Sequence, residues 1–275
     1  CGHVVITAGN HDSPSFLNAP RDLLRQLQIY VVGSIEAEVA DEVLLLRDSR
    51  DRPLLLVAAV PYLRDRDIRT VEPGESPDDK NRKLIQGIRN HYAQAGQQAQ
   101  ELLNRLEERV PVIAMGHLFA AGGRTVEGDG VRELYVGSLA HVGTDIFPET
   151  FDYVALGHLH TPQTVGGQEK YRYSGAPLPM TFQEASRPKQ VVMLEIIDGI
   201  MDITPLNVPL FRTLVTVRGD YDQVCAHLEV LKQDHTQAWV EIFYEGTEII
   251  GDLRQQLDEI VRGTGLDILR VNNNR

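Results

Sequence analysis

The sequence is poor in cysteine and positive charge, and it lacks any long apolar run. Two cysteines, Cys1 and Cys225, in 275 residues cannot build a disulfide framework. That excludes the small cross-linked secreted domains and suits a reducing, cytoplasmic setting. No apolar stretch approaches the roughly 20 residues needed to span a bilayer. No basic segment leads into an apolar one as a leader peptide would, so a membrane is not an expected partner. Lys and Arg number 27 against 39 Asp and Glu, a net charge of −12. This excludes a broad basic surface of the kind that grips nucleic acid unaided. It leaves room for a nuclease, because metal ions can supply positive charge at a scissile phosphate and a partner can supply the rest of a groove. Three basic clusters (Arg47, Arg50 and Arg52; Arg64, Arg66 and Arg69; Lys80, Arg82 and Lys83) read as solvated faces.

What the chain does have is a series of Val/Ile/Leu runs. Candidate strands fall at 3–8, 54–60, 111–115, 152–156, 170–174, 190–197, 213–218, 238–244 and 266–271. Candidate helices fall near 15–27, 79–108, 220–233 and 248–262. The long one is polar and Gln-rich, with Leu84, Ile88, Leu102 and Leu106 at helical spacing. Strands that alternate with helices predict a sheet-based α/β fold with helices outside. The stretch AAGGRTVEGDGVREL, 120–134, is rich in Gly and charge and predicts a surface loop. The two prolines of PLNVPL near 205–210 mark a boundary, predicting a larger domain over 1–207 and a small second one over 208–275. The sequence opens on Cys1 and at once on the apolar run HVVITA, which predicts further sequence upstream.

Chemistry concentrates where apolar strands end. Gly9-Asn10-His11-Asp12 follows the first run directly, Gly116-His117 follows VPVIAM, and Gly157-His158-Leu159-His160 follows FDYVAL. Sites in α/β sheets gather at the C-terminal ends of strands. An Asn amide oxygen is a neutral ligand for a hard or borderline cation. A His offers a ligand nitrogen or a proton near neutral pH, and an Asp can fix an imidazole's orientation. In extended chain, residues two apart share a side, so His158 and His160 can reach neighbouring ions. Three such places predict a shared metal site. His3, His91, His227 and His235 read as surface or packing residues, and His141 as a loop residue able to approach the site. Trp239 and Phe243 read as core. Tyr171 and Tyr173, alternating with basic residues, read as potential DNA contacts.

The order G-N-H-D, G-H, G-H-x-H at this long spacing resembles the calcineurin-like metallophosphoesterase superfamily. AGNHDSP, VPYLRDRDI, RELYVGSL, FDYVALGHLH and YSGAPLPMTFQE resemble, within it, the SbcD family of bacterial DNA nuclease subunits, over essentially the whole chain. The resemblance implies a two-sheet sandwich flanked by helices, followed by a small α/β cap that helps present DNA. It implies two divalent metal ions, most suitably manganese for a site of nitrogen and oxygen donors. Asn10, His117 and His158 would bind one ion and His160 the other. His11 would be catalytic rather than a ligand, stabilising the transition state or protonating the leaving oxygen, with Asp12 orienting it. The implied reaction is phosphodiester hydrolysis at DNA ends, hairpins and single strands, in DNA repair, recombination and replication. The implied partners are DNA, an SbcC-type ATPase and a second copy of the chain, with 15–27 and 78–108 as the places to look for that contact. The family's upstream D-x-H and G-D-x-x-D do not occur here, so little metal binding or activity is expected of these 275 residues alone. A hydrolase of small phosphoesters and a non-catalytic adaptor are the alternatives.

Overall fold

The structure is a computed structural model that describes residues 2–120, 142–197 and 199–273. In chain order it contains β1 (Val4–Thr7), α1 (Pro14–Asn18), α2 (Arg21–Gln26), β2 (Ile29–Val32), β3 (Val43–Arg47), β4 (Pro53–Ala59), α3 (Asp65–Ile68) and α4 (Pro77–Leu103). There follow β5 (Val112–His117), β6 (Tyr153–Gly157), β7 (Gln163–Val165), β8 (Gln168–Tyr173), β9 (Lys189–Ile197) and β10 (Ile200–Val208). The chain closes with β11 (Thr213–Gly219), α5 (Tyr221–Gln233), β12 (Ala238–Tyr244), α6 (Leu253–Val261) and β13 (Leu266–Asn273). The architecture is mixed α/β with several sheets.

The described residues divide into two compact units. One comprises 2–120, 142–177, 190–197 and 199–206; the other comprises 178–189 and 207–273. The second unit is therefore discontinuous, which a single boundary near 205–210 does not anticipate. Pro205 itself lies inside β10.

The first unit is built on a six-stranded sheet of order β3-β4-β5-β6-β8-β7. Its middle strands β4, β5, β6 and β8 run parallel. One face is covered by α4, whose Leu84, Ile88, Tyr92, Ala95, Ala99 and Leu103 recur every three or four residues and are buried. The helix starts where it does because Ser76 and Asp79 form a reciprocal capping box and Pro77 occupies the first turn. Inside this core Glu42 is fully buried and meets His91 at 2.7 Å, so His91 is a packing residue held by a buried partner. On the other face Val57 and Ala59 pack with Val32 and Leu46, joined by Val5, Tyr30 and Met115. This second layer includes the parallel pair β1–β2.

Several expectations are corrected here. The helix expected over 15–27 is two short helices, because Pro20 lacks the N–H to continue the first and acts as N-cap of the second. Strands β2, β3, β7 and β10 lie outside the runs expected to form strands. Tyr171 and Tyr173 are core residues at 5% and 0% exposure, so they are not DNA contacts. The Tyr173 hydroxyl donates to the Leu118 carbonyl and accepts from the Ala120 N–H; burial pushes its pKa up. The basic cluster around Arg69 is not a solvated face either. Arg69 is 6% exposed, paired with both Asp65 and Glu75. His141, most of the loop at 120–134 and the segment RELYVGSL lie outside the described residues.

In the second unit β11-β12-β13 form a parallel sheet. Val217, Val240, Ile242 and Ile268 pack against Val224 and Leu228 of α5 and Leu257 and Val261 of α6. The period of two that turns Val240 and Ile242 inward turns Trp239 outward, at 41% exposure. Phe243, on the same side, carries the Arg218 guanidinium 3.8 Å from its ring centre. Neither aromatic belongs to the core expected for it. Within residues 178–189, Lys189 and Glu184 form a buried ion pair whose carboxylate also accepts from the Met180 N–H, closing the segment on itself.

Candidate metal centre

Each predicted ligand sits at a strand end. His117 is the last residue of β5, and β5 pairs in parallel with β6 so that His117 lies opposite Gly157. His158 therefore emerges beside it, and the two rings lie 5.3 Å apart, edge to face. Asn10 arrives from the turn after β1. Its side-chain oxygen lies 2.9 Å from His117 Nε2, across 107 positions of sequence. That turn is tied to the sheet because the Tyr62 N–H, just past β4, donates to the Ala8 carbonyl at 2.9 Å. The ends of β1, β4, β5 and β6 thus meet at one place.

Glycine makes the approach possible. A Cβ on Gly9 would lie 2.7 Å from His117 Cε1, and one on Gly157 would lie 3.0 Å from His117 Nδ1. Two of the three motif glycines, Gly9 and Gly157, are thus notches for the same imidazole. His158 has φ +112°, a conformation costly for a residue with a Cβ, on the order of 1–3 kcal/mol. Such strain is found where surrounding structure fixes a side chain for a purpose.

The electrostatics favour a neutral imidazole. Burial pushes the His117 pKa down to about 4; Asp12 opposes this, while His11 and His160 add to it. Those two histidines are thus within electrostatic reach of His117. His11 is exposed on its turn. Asp12 accepts from the Gly9 N–H at 2.6 Å, so its described bond closes the turn and does not run to His11. The His160 carbonyl accepts from the Ala176 N–H at 3.1 Å, anchoring the YSGAP segment to the G-H-x-H segment.

The donor set can be tested against an ion. Two ligand atoms each ~2.1 Å from one cation and at right angles lie ~3 Å apart. The 2.9 Å between Asn10 Oδ1 and His117 Nε2 suits that spacing. With His158 these residues fit the neutral N and O donors of a divalent ion. No group of three or more His, Cys, Asp or Glu able to hold a metal occurs among the described residues. The described site is thus a partial donor set, without a carboxylate bridge.

Comparison with known proteins bears on the family. The family model for the type 5 capsule protein repressor C-terminal domain, SbcD_C, matches residues 210–275. The SbcD subunit of the nuclease SbcCD from Escherichia coli (strain K12) is 33% identical, covering 99% of this chain and 67% of the relative. The chain belongs to the SbcD family. Two further relatives, both carrying the same SbcCD nuclease description, extend the pattern. That of Rhodobacter capsulatus is 32% identical over 78% of this chain and 52% of its own length. That of Bacillus subtilis is 32% identical over 70% of this chain and 46% of its own length.

Within this SbcD-family chain, two aromatic neighbours of the site were not among the expected residues, Tyr62 and Phe119. Tyr62 meets the His117 ring edge-on at 6.1 Å, and Phe119 meets His158 at 6.2 Å. A signal for Tyr62 exists in the sequence, since VPYL follows the apolar run of β4 as the histidine motifs follow theirs. No helix among the described residues is long and apolar enough to cross a membrane.

Proposed function

We propose that the complete protein is a metal-dependent DNA nuclease subunit that hydrolyses phosphodiester bonds at ends, hairpins and single strands, working with an SbcC-type ATPase and as a homodimer. The reading is supported by the relatives named as SbcD subunits of the nuclease SbcCD. The single observation that carries it is the meeting of Asn10 and His117 at 2.9 Å with His158 alongside. The family fold, a two-sheet sandwich over 1–207 and a DNA-presenting cap over 208–275, is part of the same proposal.

Asn10, His117 and His158 would hold one divalent ion and His160 a second, with manganese suited to the donors. Such ions, when bound, polarise a phosphate and supply an activated water. The chain's own contribution is positional. The low His117 pKa keeps its nitrogen available as a donor at neutral pH rather than protonated. Gly9 and Gly157 let that ring sit against the backbone of both neighbouring turns. His11, exposed and outside the proposed ligand set, would hold a proton for the leaving oxygen. Asp12 holds the turn that presents His11, through the Gly9 N–H. The described residues form no complete metal cluster, and these 275 residues by themselves are expected to bind metal weakly and cleave little.

The test is a pair of substitutions in the full-length protein. His11→Ala should lower manganese-dependent cleavage of linear DNA by about 10²–10⁴-fold and leave metal content nearly intact. His158→Ala should lose bound metal. Metal analysis showing the reverse would reject this division of roles. A wild type that cleaves a nitrophenyl phosphate ester but no DNA would reject the nuclease.

A further inference from the structure

The turn after β4 sets Tyr62 against the same centre, with Arg64 two residues further on. Resting on the nuclease reading, we infer that Tyr62 and Arg64 form a substrate subsite that takes the nucleotide next to the scissile phosphodiester. Tyr62 would support the base or sugar, and Arg64 would neutralise the flanking phosphate.

The first reason is placement. Tyr62 is bonded through its N–H to Ala8, the residue before the Gly9 turn, and its ring stands edge-on to His117 at 6.1 Å. A substrate phosphate near His117 would bring its neighbouring nucleotide within reach of this ring. The burial pattern gives the second reason. Pro61 and Leu63 are buried, whereas Tyr62 and Arg64 are half-buried; the alternation puts the latter pair on the side away from the core.

Charge is the third. Most cations of this region are neutralised. Arg66 pairs with Asp67, Arg69 with Asp65 and Glu75, Lys80 with Asp65, and Lys83 with Glu72 and Glu75. Arg64 makes no ion pair among the described residues, so its guanidinium remains available. In a chain of net charge −12, an arginine with no ion pair among the described residues, two positions from a ring at the metal centre, is well suited to meet a phosphate. Arg binds phosphate oxygens in a two-pronged manner, and aromatic rings stack on bases without regard to sequence.

Rigidity is the fourth. The turn is fixed from behind. Arg69, 6% exposed, clamps Asp65 to Glu75. The Ile68 carbonyl occupies a notch in α4 at Gly87, where a Cβ would come within 2.2 Å of it. A turn held this firmly can present two side chains at a constant distance from the strand ends.

The experiment uses the full-length protein loaded with Mn²⁺ and two substrates: linear DNA, and bis(p-nitrophenyl) phosphate, which has no neighbouring nucleotide. The readout is the ratio of kcat/KM on DNA to kcat/KM on the ester. Arg64→Ala and Tyr62→Leu should each lower this ratio about tenfold. Arg64→Ala should also reduce the salt dependence of the DNA KM by about one phosphate contact. Arg66→Ala, in the same turn but paired, should change the ratio by less than about twofold. Equal losses on both substrates would show a structural role and overturn the subsite, as would an unchanged ratio in both variants. An Arg66→Ala effect as large as that of Arg64→Ala would overturn it too. A wild type active on the ester but not on DNA would show instead that the nuclease reading had failed.

Discussion

Both units contain parallel strands, yet their strand ends do opposite things. In the first unit the ends of β5 and β6 and the turn after β1 present Asn10, His117 and His158 to one another. In the second unit the ends of β11 and β12 are consumed by the fold. Gly219 leads into Asp220, which caps α5 through a reciprocal pair with Gln223. The Glu245 N–H donates to the Gly219 carbonyl, and the Tyr244 hydroxyl donates to the Glu248 carbonyl. The lesson is that a strand end becomes a site only when its side chains are left unspent by capping. In the first unit glycine at positions 9 and 157 leaves room for the His117 ring, so the side chains at those strand ends can approach one another.

The largest effect that could sharpen this contrast is a pH dependence confined to the first unit. With metal removed by chelation, the His117 pKa lies near 4 against about 6.5 in the unfolded chain. The unfolded state binds more protons between those values. Stability from this residue is therefore complete above pH 6.5 and is lost as pH falls toward 4, by about 3 kcal/mol at most. The check is the difference in urea unfolding between wild type and His117→Gln at pH 7 and pH 4. A difference independent of pH would break the idea that this imidazole is held neutral.

Next in size is a glycine contrast. Gly9→Ala places a Cβ against the His117 ring and should cost about 2 kcal/mol, with weaker metal binding by titration calorimetry. Gly251→Ala, at a second-unit glycine with nothing within 4 Å, should change stability by less than about 0.5 kcal/mol. Equal effects would remove the distinction between the two sets of ends. The smallest effect is at the cap. Asp220→Ala should cost about 1 kcal/mol in thermal or urea unfolding and leave metal binding in the first unit unchanged. A loss of metal affinity in that variant would contradict the separation of roles.

The histidine ends were legible because a buried strand that stops at Gly-His is a local pattern. The pattern alone gave a shared site; the resemblance put Asn10 and His117 in one ligand set, and their side chains meet at 2.9 Å across 107 positions. The aromatic neighbours were harder. Tyr62 is one tyrosine among nine; its place after an apolar run was a signal, but a Tyr there is far less specific for a metal site than Gly-His. Tyr171 and Tyr173 look like a half-exposed strand alternating with basic residues, but the sheet is covered where they lie. Trp239 defied expectation for a related reason: whether a strand residue points inward is set by register against α5 and α6, which residue type does not reveal. The short runs IYVV and VLLLR are four and five residues long, too brief for periodicity to separate strand from helix. Arg69 looked like solvent-facing charge because its acidic partners come from a turn and a helix start whose proximity only the folded chain establishes.

The discontinuous second unit has a consequence for synthesis. As the chain leaves the ribosome, residues 178–189 emerge before β9 and β10, and long before β11, β12 and β13 exist. The first unit reaches residue 206 while residues 178–189 still await the sheet of their own unit. During that interval, which a ribosome moving at about 5–20 residues per second makes several seconds long, this short segment is a loop without a home. The nascent protein is thus obliged to keep one insertion open until its final strand arrives, and the order of folding is written into where the segment sits in the gene.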